Sequence, residues 1–268
     1  SMELEIIPET KEILKNVEEL TKKKFKFIQN SKITSHAKLK MAREDMENHI
    51  IYYKEGVDQR INHIIAHECG HILRIYEAAP SERLIPYFSS KNYEHAFEES
   101  RKDINNISKI IPESKLNQLI EMLFKGLVMQ LTNQPVDLKI EEWIYNDYPG
   151  LRACQELSFK SQLNEAIGGI NEKIRSITPS KVYEASHSMN YAYFNVLSEK
   201  AGFDLGSAYE NFEFEDKGIS LIEIMEKHEN NFEGDVKRID GWAKILSLSS
   251  WYEWKKFDDV PSNYEYMI

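Results

Sequence analysis

The chain has 268 residues, with 34 basic against 44 acidic side chains and a formal charge of −10. That acid excess disfavours broad binding to nucleic acid or to anionic membrane, because both are polyanions, and 41% hydrophobic with 29% charged residues is too apolar for wholesale disorder. The length suits one large domain or two closely joined ones and is sufficient for a sizeable core.

Cys69 and Cys154 are too few for a disulfide framework. No N-terminal stretch reads as a signal peptide and no apolar run is long enough for a membrane span. Ser1 ahead of Met2 reads as a tag remnant. The expectation is a cytoplasmic protein with no nucleic-acid or membrane partner.

Helical spacing starts at Glu9–Leu20, through Ile13, Leu14, Val17 and Leu20. Three extended segments follow: Phe25–Gln29, Ala37–Arg43 and His49–Lys54, the last rich in β-forming residues and stopped by Glu55-Gly56. From Asp58, a capping residue, Ile61, Ile64, Ile65, Ile72 and Leu73 predict a helix to about Ala78. Pro80 and Pro86 break the chain. A helix is expected over Tyr93–Ile110, and a strongly apolar one over Ser114–Leu131. A turn at Thr132-Asn133-Gln134-Pro135 then separates it from a helix at Val136–Asn146, stopped by Pro149-Gly150. Further helices are predicted at Leu151–Ile167, Lys181–Ala201, Ile219–His228 and between Asp235 and Phe257. The fold class is thus α+β and mostly α-helical. A small N-terminal sheet packs on the long helix within residues 1–80, and residues 81–268 form a helical part that completes one compact unit.

The chemistry sits in that long helix. His67-Glu68-Cys69-Gly70-His71 is an H-E-x-x-H pattern. On a helix, positions i and i+4 lie about 40° apart in azimuth and about 6 Å apart along the axis, so both imidazoles can reach one ion. Glu68, turned by about 100°, can contact a water on that ion without binding the ion itself. Two histidines leave a zinc ion in need of a third ligand and an open place for water.

These residues resemble the zincin superfamily of H-E-x-x-H zinc metallopeptidases, over about residues 45–80. The resemblance implies one Zn2+ per chain on His67 and His71, Glu68 as catalytic base, and an edge strand, here His49–Lys54, that holds an extended peptide. After His71 the chain reads Ile72-Leu73-Arg74-Ile75-Tyr76-Glu77, without the third histidine of metzincins, so a gluzincin-like glutamate ligand is implied instead. Glu141 is the leading choice, on the helix after the turn and one helical turn beyond Asp137; Glu98 and Glu99 are the alternatives. Met46-Glu47-Asn48 is similar to the M-E-N element of gluzincin aminopeptidases, which makes Glu47 a possible substrate-binding residue. Glu44-Asp45 and Ser90 depart from that pattern.

His63 stands four residues before His67. A ladder of three histidines on one straight helix spans about 12 Å, too far for one ion, so His63 is expected at the cleft rim, behind the ligands, or at the surface. An oxyanion donor is also required. Tyr183, His187 and Tyr191 recur at i, i+4 and i+8; His187 is the first candidate, with Tyr183 and Tyr191 behind it and Tyr145 and Tyr148 in reserve. The same stripe is also what aromatic packing would give.

The function this implies is a zinc-dependent peptidase acting on a peptide or protein substrate. The alternatives are a catalytically inactive zincin-fold interaction protein and a zinc hydrolase of a non-peptide substrate. Similarity to the ImmA/IrrE-type peptidases, which pair H-E-x-x-H with regulatory cleavage, is loose, and no clear helix-turn-helix accompanies it.

Overall fold

Proline at the first helical position, where no N–H is needed, starts helix α1 (Pro8–Thr21). The computed structural model describes residues 4–210 and 212–261. Thr10, Ile13, Val17 and Thr21 form the buried face of α1, and Lys22, at φ 58°, ends it by giving its N–H to the Glu18 carbonyl at 2.9 Å.

Strands β1 (Lys24–Gln29), β2 (Ala37–Lys40) and β3 (Asn48–Tyr53) follow, close to the expected bounds. Their spatial order is β1-β3-β2, with β3 parallel to β1 and antiparallel to β2. The segment expected at the edge is therefore the central strand. Phe25 lies opposite His49 on one side and Leu39 opposite Ile51 on the other. The edge strands of this sheet are β1 and β2. Alternation places His49 and Ile51 on the buried face of β3. The His49 imidazole is satisfied there at both nitrogens: the Ala42 N–H donates to Nδ1 at 2.9 Å, and Nε2 lies 2.9 Å from Thr21 Oγ1.

Helix α2 (Arg60–Glu77) packs against α1 and β2. Ile61, Ile65 and Ile72 are nearly sealed, each such side chain contributing roughly 1.5–3 kcal/mol on burial. Asn62, buried, takes the Ile7 N–H at 2.9 Å and donates to the Glu5 carbonyl at 2.8 Å, tying the segment before α1 to α2.

Strand β4 (Leu84–Tyr87) leads to α3 (Ser90–Glu99), opened by a reciprocal Ser89–Asn92 capping box. The expected Tyr93–Ile110 helix breaks at Ser100, and α4 (Arg101–Ile107) continues it. Helix α5 (Glu113–Asp147) runs unbroken through Asn133-Gln134-Pro135, where a turn was expected. Pro135 removes one main-chain hydrogen bond. The apolar residues on either side, Leu131 and Val136, are buried, and this packing outweighs the local turn signal.

Helices α6 (Arg152–Gly168), α7 (Glu172–Ser176), α8 (Ser180–Ala201), α9 (Glu215–Met225) and α10 (Phe232–Leu246) complete the helical part. The final expected helix stops short because Ser247 turns left-handed at φ 56°; β5 (Glu253–Lys256) then pairs with β4.

The fold is mostly helical α+β with small sheets. Among the described residues no helix is long and apolar enough to cross a membrane. The described residues form two compact units, both discontinuous in sequence: those within 4–85, 139–160 and 255–261 in the first, and those within 86–138 and 161–254 in the second. The end of α5 and the start of α6 thus join the unit that holds the sheet and α2.

Candidate metal centre

All of α2 lies in the first unit, with the H-E-x-x-H residues on its inner side. His71 is 3% and Glu68 7% exposed, whereas the His67 side chain keeps 17% of its surface open. The His67 and His71 rings meet edge to face, with centroids 5.1 Å apart. Cys69 is sealed, and burial, followed by the charge of Glu68, pushes its thiol well above its usual range, so it acts as a small packing residue. Gly70 lies against Ile140 of α5: a β-carbon there would sit 2.5 Å from Ile140 Cγ2.

That close approach delivers Glu141, the next residue on α5, to the histidines. Glu141 is 1% exposed. Its Oε1 lies 2.6 Å from His67 Nδ1, and both carboxylate oxygens lie 2.8 Å from His63 Nε2. Burial alone would raise this carboxyl; the imidazoles of His63 and His67 outweigh it and hold the group well below the usual carboxylate range. From α6, Gln155 donates to Glu141 Oε2 at 2.8 Å and to its main-chain carbonyl at 3.1 Å. Ser158 Oγ lies 3.0 Å from His63 Nδ1, and Phe159 sets its ring edge to face against His63. His63, His67 and Glu141 bring their ligand atoms within 4.8 Å of one another, a buried group of the kind that could hold a metal ion.

The sequence names Glu141 as third ligand beside His67 and His71 and leaves His63 open between the cleft rim, a place behind the ligands and the surface; the structure buries His63 against Glu141 and sets Glu141 against His67 Nδ1. Gln155 and Ser158 were missed. Gln155, Ser158 and Phe159 fall on one face of a predicted helix, but nothing local says what that face meets.

The other candidates have other surroundings. Glu98 is exposed and pairs with Arg101. Glu99 accepts from Trp251 Nε1 at 2.9 Å and pairs with Lys181 at 2.5 Å. Glu47 is exposed in the bend before β3. In the second unit, the His187 ring is enclosed by Tyr183, Tyr209 and Phe214, with Nδ1 3.1 Å from Tyr209 Oη. Burial, the larger effect, lowers its pKa, and the Gly169 main chain opposes this. Tyr191 is buried against Gly218. In the first unit, Tyr145 lies under the Arg152 guanidinium and Tyr148 against Trp143.

A cavity of about 620 Å3 in the first unit opens where β3 ends, lined by Tyr53, Lys54, Asp58 and Gln59 among others; no residue of the histidine cluster lines it. Comparison of the chain with protein-family models, with curated proteins and with solved structures gives no match.

Proposed function

We propose that the chain is a zinc-dependent metallopeptidase whose centre is built on α2. The observation that supports this best is the pair of imidazoles, His67 and His71, meeting one turn apart beside buried Glu68. Nitrogen donors of this kind suit zinc, and burying His71 and Glu68 beside half-buried His67 is costly without a cation to match them. Zinc bound there would lower the pKa of a water ligand towards about 7.

His67 and His71 would hold the ion. The Glu68 carboxylate would take the proton of the attacking water and return it to the leaving amine. Strand β2, an edge strand packed beside α2, offers main-chain groups to an extended substrate, the part the sequence had given to His49–Lys54. Of the tyrosines weighed as oxyanion donors, Tyr145 stands one turn beyond Glu141 on the same helix and is the one assigned that part. The aromatic enclosure of His187 favours packing for that residue.

Metal analysis and hydrolysis of a peptide library test this together. Wild type should carry about one zinc per chain and cleave; Glu68→Gln should keep the zinc and lose cleavage. Zinc retained by both His67→Ala and His71→Ala would overturn the site. A zinc-loaded wild type that cleaves no peptide would leave the interaction protein or a non-peptide hydrolase in its place.

A further inference from the structure

We propose that Glu141 is a positioning residue of this metal centre and not one of its ligands: it holds His67 in the tautomer with the proton on Nδ1, and so presents Nε2 to the ion, while His63 and Gln155 hold Glu141. This rests on the metal-centre reading above and departs from the third-ligand role that the resemblance implies for Glu141.

Distance decides between the two roles. Ligand bonds of about 2.0–2.2 Å in tetrahedral geometry separate neighbouring donor atoms by roughly 3.3–3.5 Å. Glu141 Oε1 is 2.6 Å from His67 Nδ1, and each carboxylate oxygen is 2.8 Å from His63 Nε2. Those are the separations of charge-assisted hydrogen bonds, with a proton between the atoms. Gln155 gives its amide N–H to Oε2 at 2.8 Å, so the carboxylate is the accepting partner of this cluster, and His67 Nδ1 and His63 Nε2 are its other donors. An imidazole protonated at Nδ1 carries its lone pair on Nε2, the atom that then binds metal.

The surroundings of the carboxylate agree. Its two oxygens receive His67, His63 and Gln155, so protein donors already occupy both. His63 cannot serve as a ligand in this state, because Nε2 is turned to Glu141 and Nδ1 to Ser158 Oγ at 3.0 Å. This accounts for a histidine four residues ahead of the motif: it is the second imidazole that holds the buried carboxylate in place.

The test uses the full chain with 15N-labelled histidine, first metal-free and then loaded with 113Cd. In the metal-free protein, His67 should show its proton on Nδ1. After loading, cadmium should couple to His67 through Nε2 and to His71, with no coupling to His63. Glu141→Gln keeps an acceptor for the Nδ1 proton, so it should retain one ion per chain with affinity reduced by about ten- to hundredfold, while His71→Ala loses the ion. Glu141→Ala should in addition mix the His67 tautomers; if it fails to fold, the Gln variant and the wild-type spectra still decide. Cadmium coupled to His67 Nδ1 or to His63, or loss of the ion from Glu141→Gln as complete as from His71→Ala, would overturn the inference and leave the metal centre standing. A wild type that binds no ion would overturn the metal centre itself.

Discussion

Gly70 and Ile140 touch where α2 meets the end of α5: a β-carbon on Gly70 would lie 2.5 Å from Ile140 Cγ2 and 3.3 Å from its Cβ. The small residue inside H-E-x-x-H therefore sets how closely the helix carrying Glu141 approaches the helix carrying His67.

Gly70→Ala should consequently destabilise the protein. Alanine gains about 1 kcal/mol of helix propensity over glycine, but overpacking costs about 1–3 kcal/mol, and a 2.5 Å contact belongs at the upper end. A net loss of about 1–2 kcal/mol is expected in urea unfolding and, for the zinc centre proposed above, weaker zinc binding because Glu141 moves with Ile140. Adding Ile140→Ala should recover part of the zinc affinity. A more stable Gly70→Ala protein with unchanged zinc affinity would contradict this contact.

His49 should make the fold acid-sensitive. Burial first, and the charge of Lys23 second, lower its pKa from 6.5 to about 4. Between those values the unfolded chain binds the proton and the native state does not, so stability is full above pH 6.5 and falls as pH drops towards 4. The shift corresponds to a loss of about 3 kcal/mol over that interval. His49→Asn should be weaker at pH 7 but should lose less between pH 6.5 and 4; urea midpoints across that range measure the difference. Equal slopes would remove His49 as the cause.

Arg238 is 0% exposed and donates to the carbonyls of Met225 at 2.8 Å, Glu229 at 2.7 Å and His228, as well as to Asp235 at 3.1 Å. Arg238→Met should cost about 3–5 kcal/mol, because it takes the guanidinium from a buried carboxylate and from three carbonyls together. Asp235→Asn should cost less, since the arginine keeps the carbonyls. Denaturant unfolding that ranks the two variants the other way would refute this order.

His187 separates packing from catalysis. His187→Phe keeps the aromatic contacts with Tyr183 and Phe214 and loses the bond to Tyr209, so it should cost about 1 kcal/mol of stability and leave kcat nearly unchanged. A hundred- to thousandfold fall in kcat at unchanged zinc content would instead make it the oxyanion donor.

Local pattern carried α2, the three N-terminal strands and α8, because caps, β-branched runs and 3.6-residue spacing are properties of neighbours in the chain. It named Glu141 as a third metal ligand; the structure brings that residue to His67 Nδ1 and His63 Nε2 at hydrogen-bond distance. Local pattern misplaced what neighbours do not decide. His49–Lys54 reads as a strand in any sheet, but its central position depends on which partners reach it. Asn133-Gln134-Pro135 carries the residues of a turn, yet α5 continues through it because the flanking apolar residues are buried. Gln155 and Ser158 are ordinary polar residues until α6 places them against Glu141 and His63. The sequence alone determined the donor types and their spacing on α2. Tertiary structure decided that His67 Nδ1 and His63 Nε2 face the Glu141 carboxylate, because only packing brings together side chains that stand 74 and 78 residues apart in the chain.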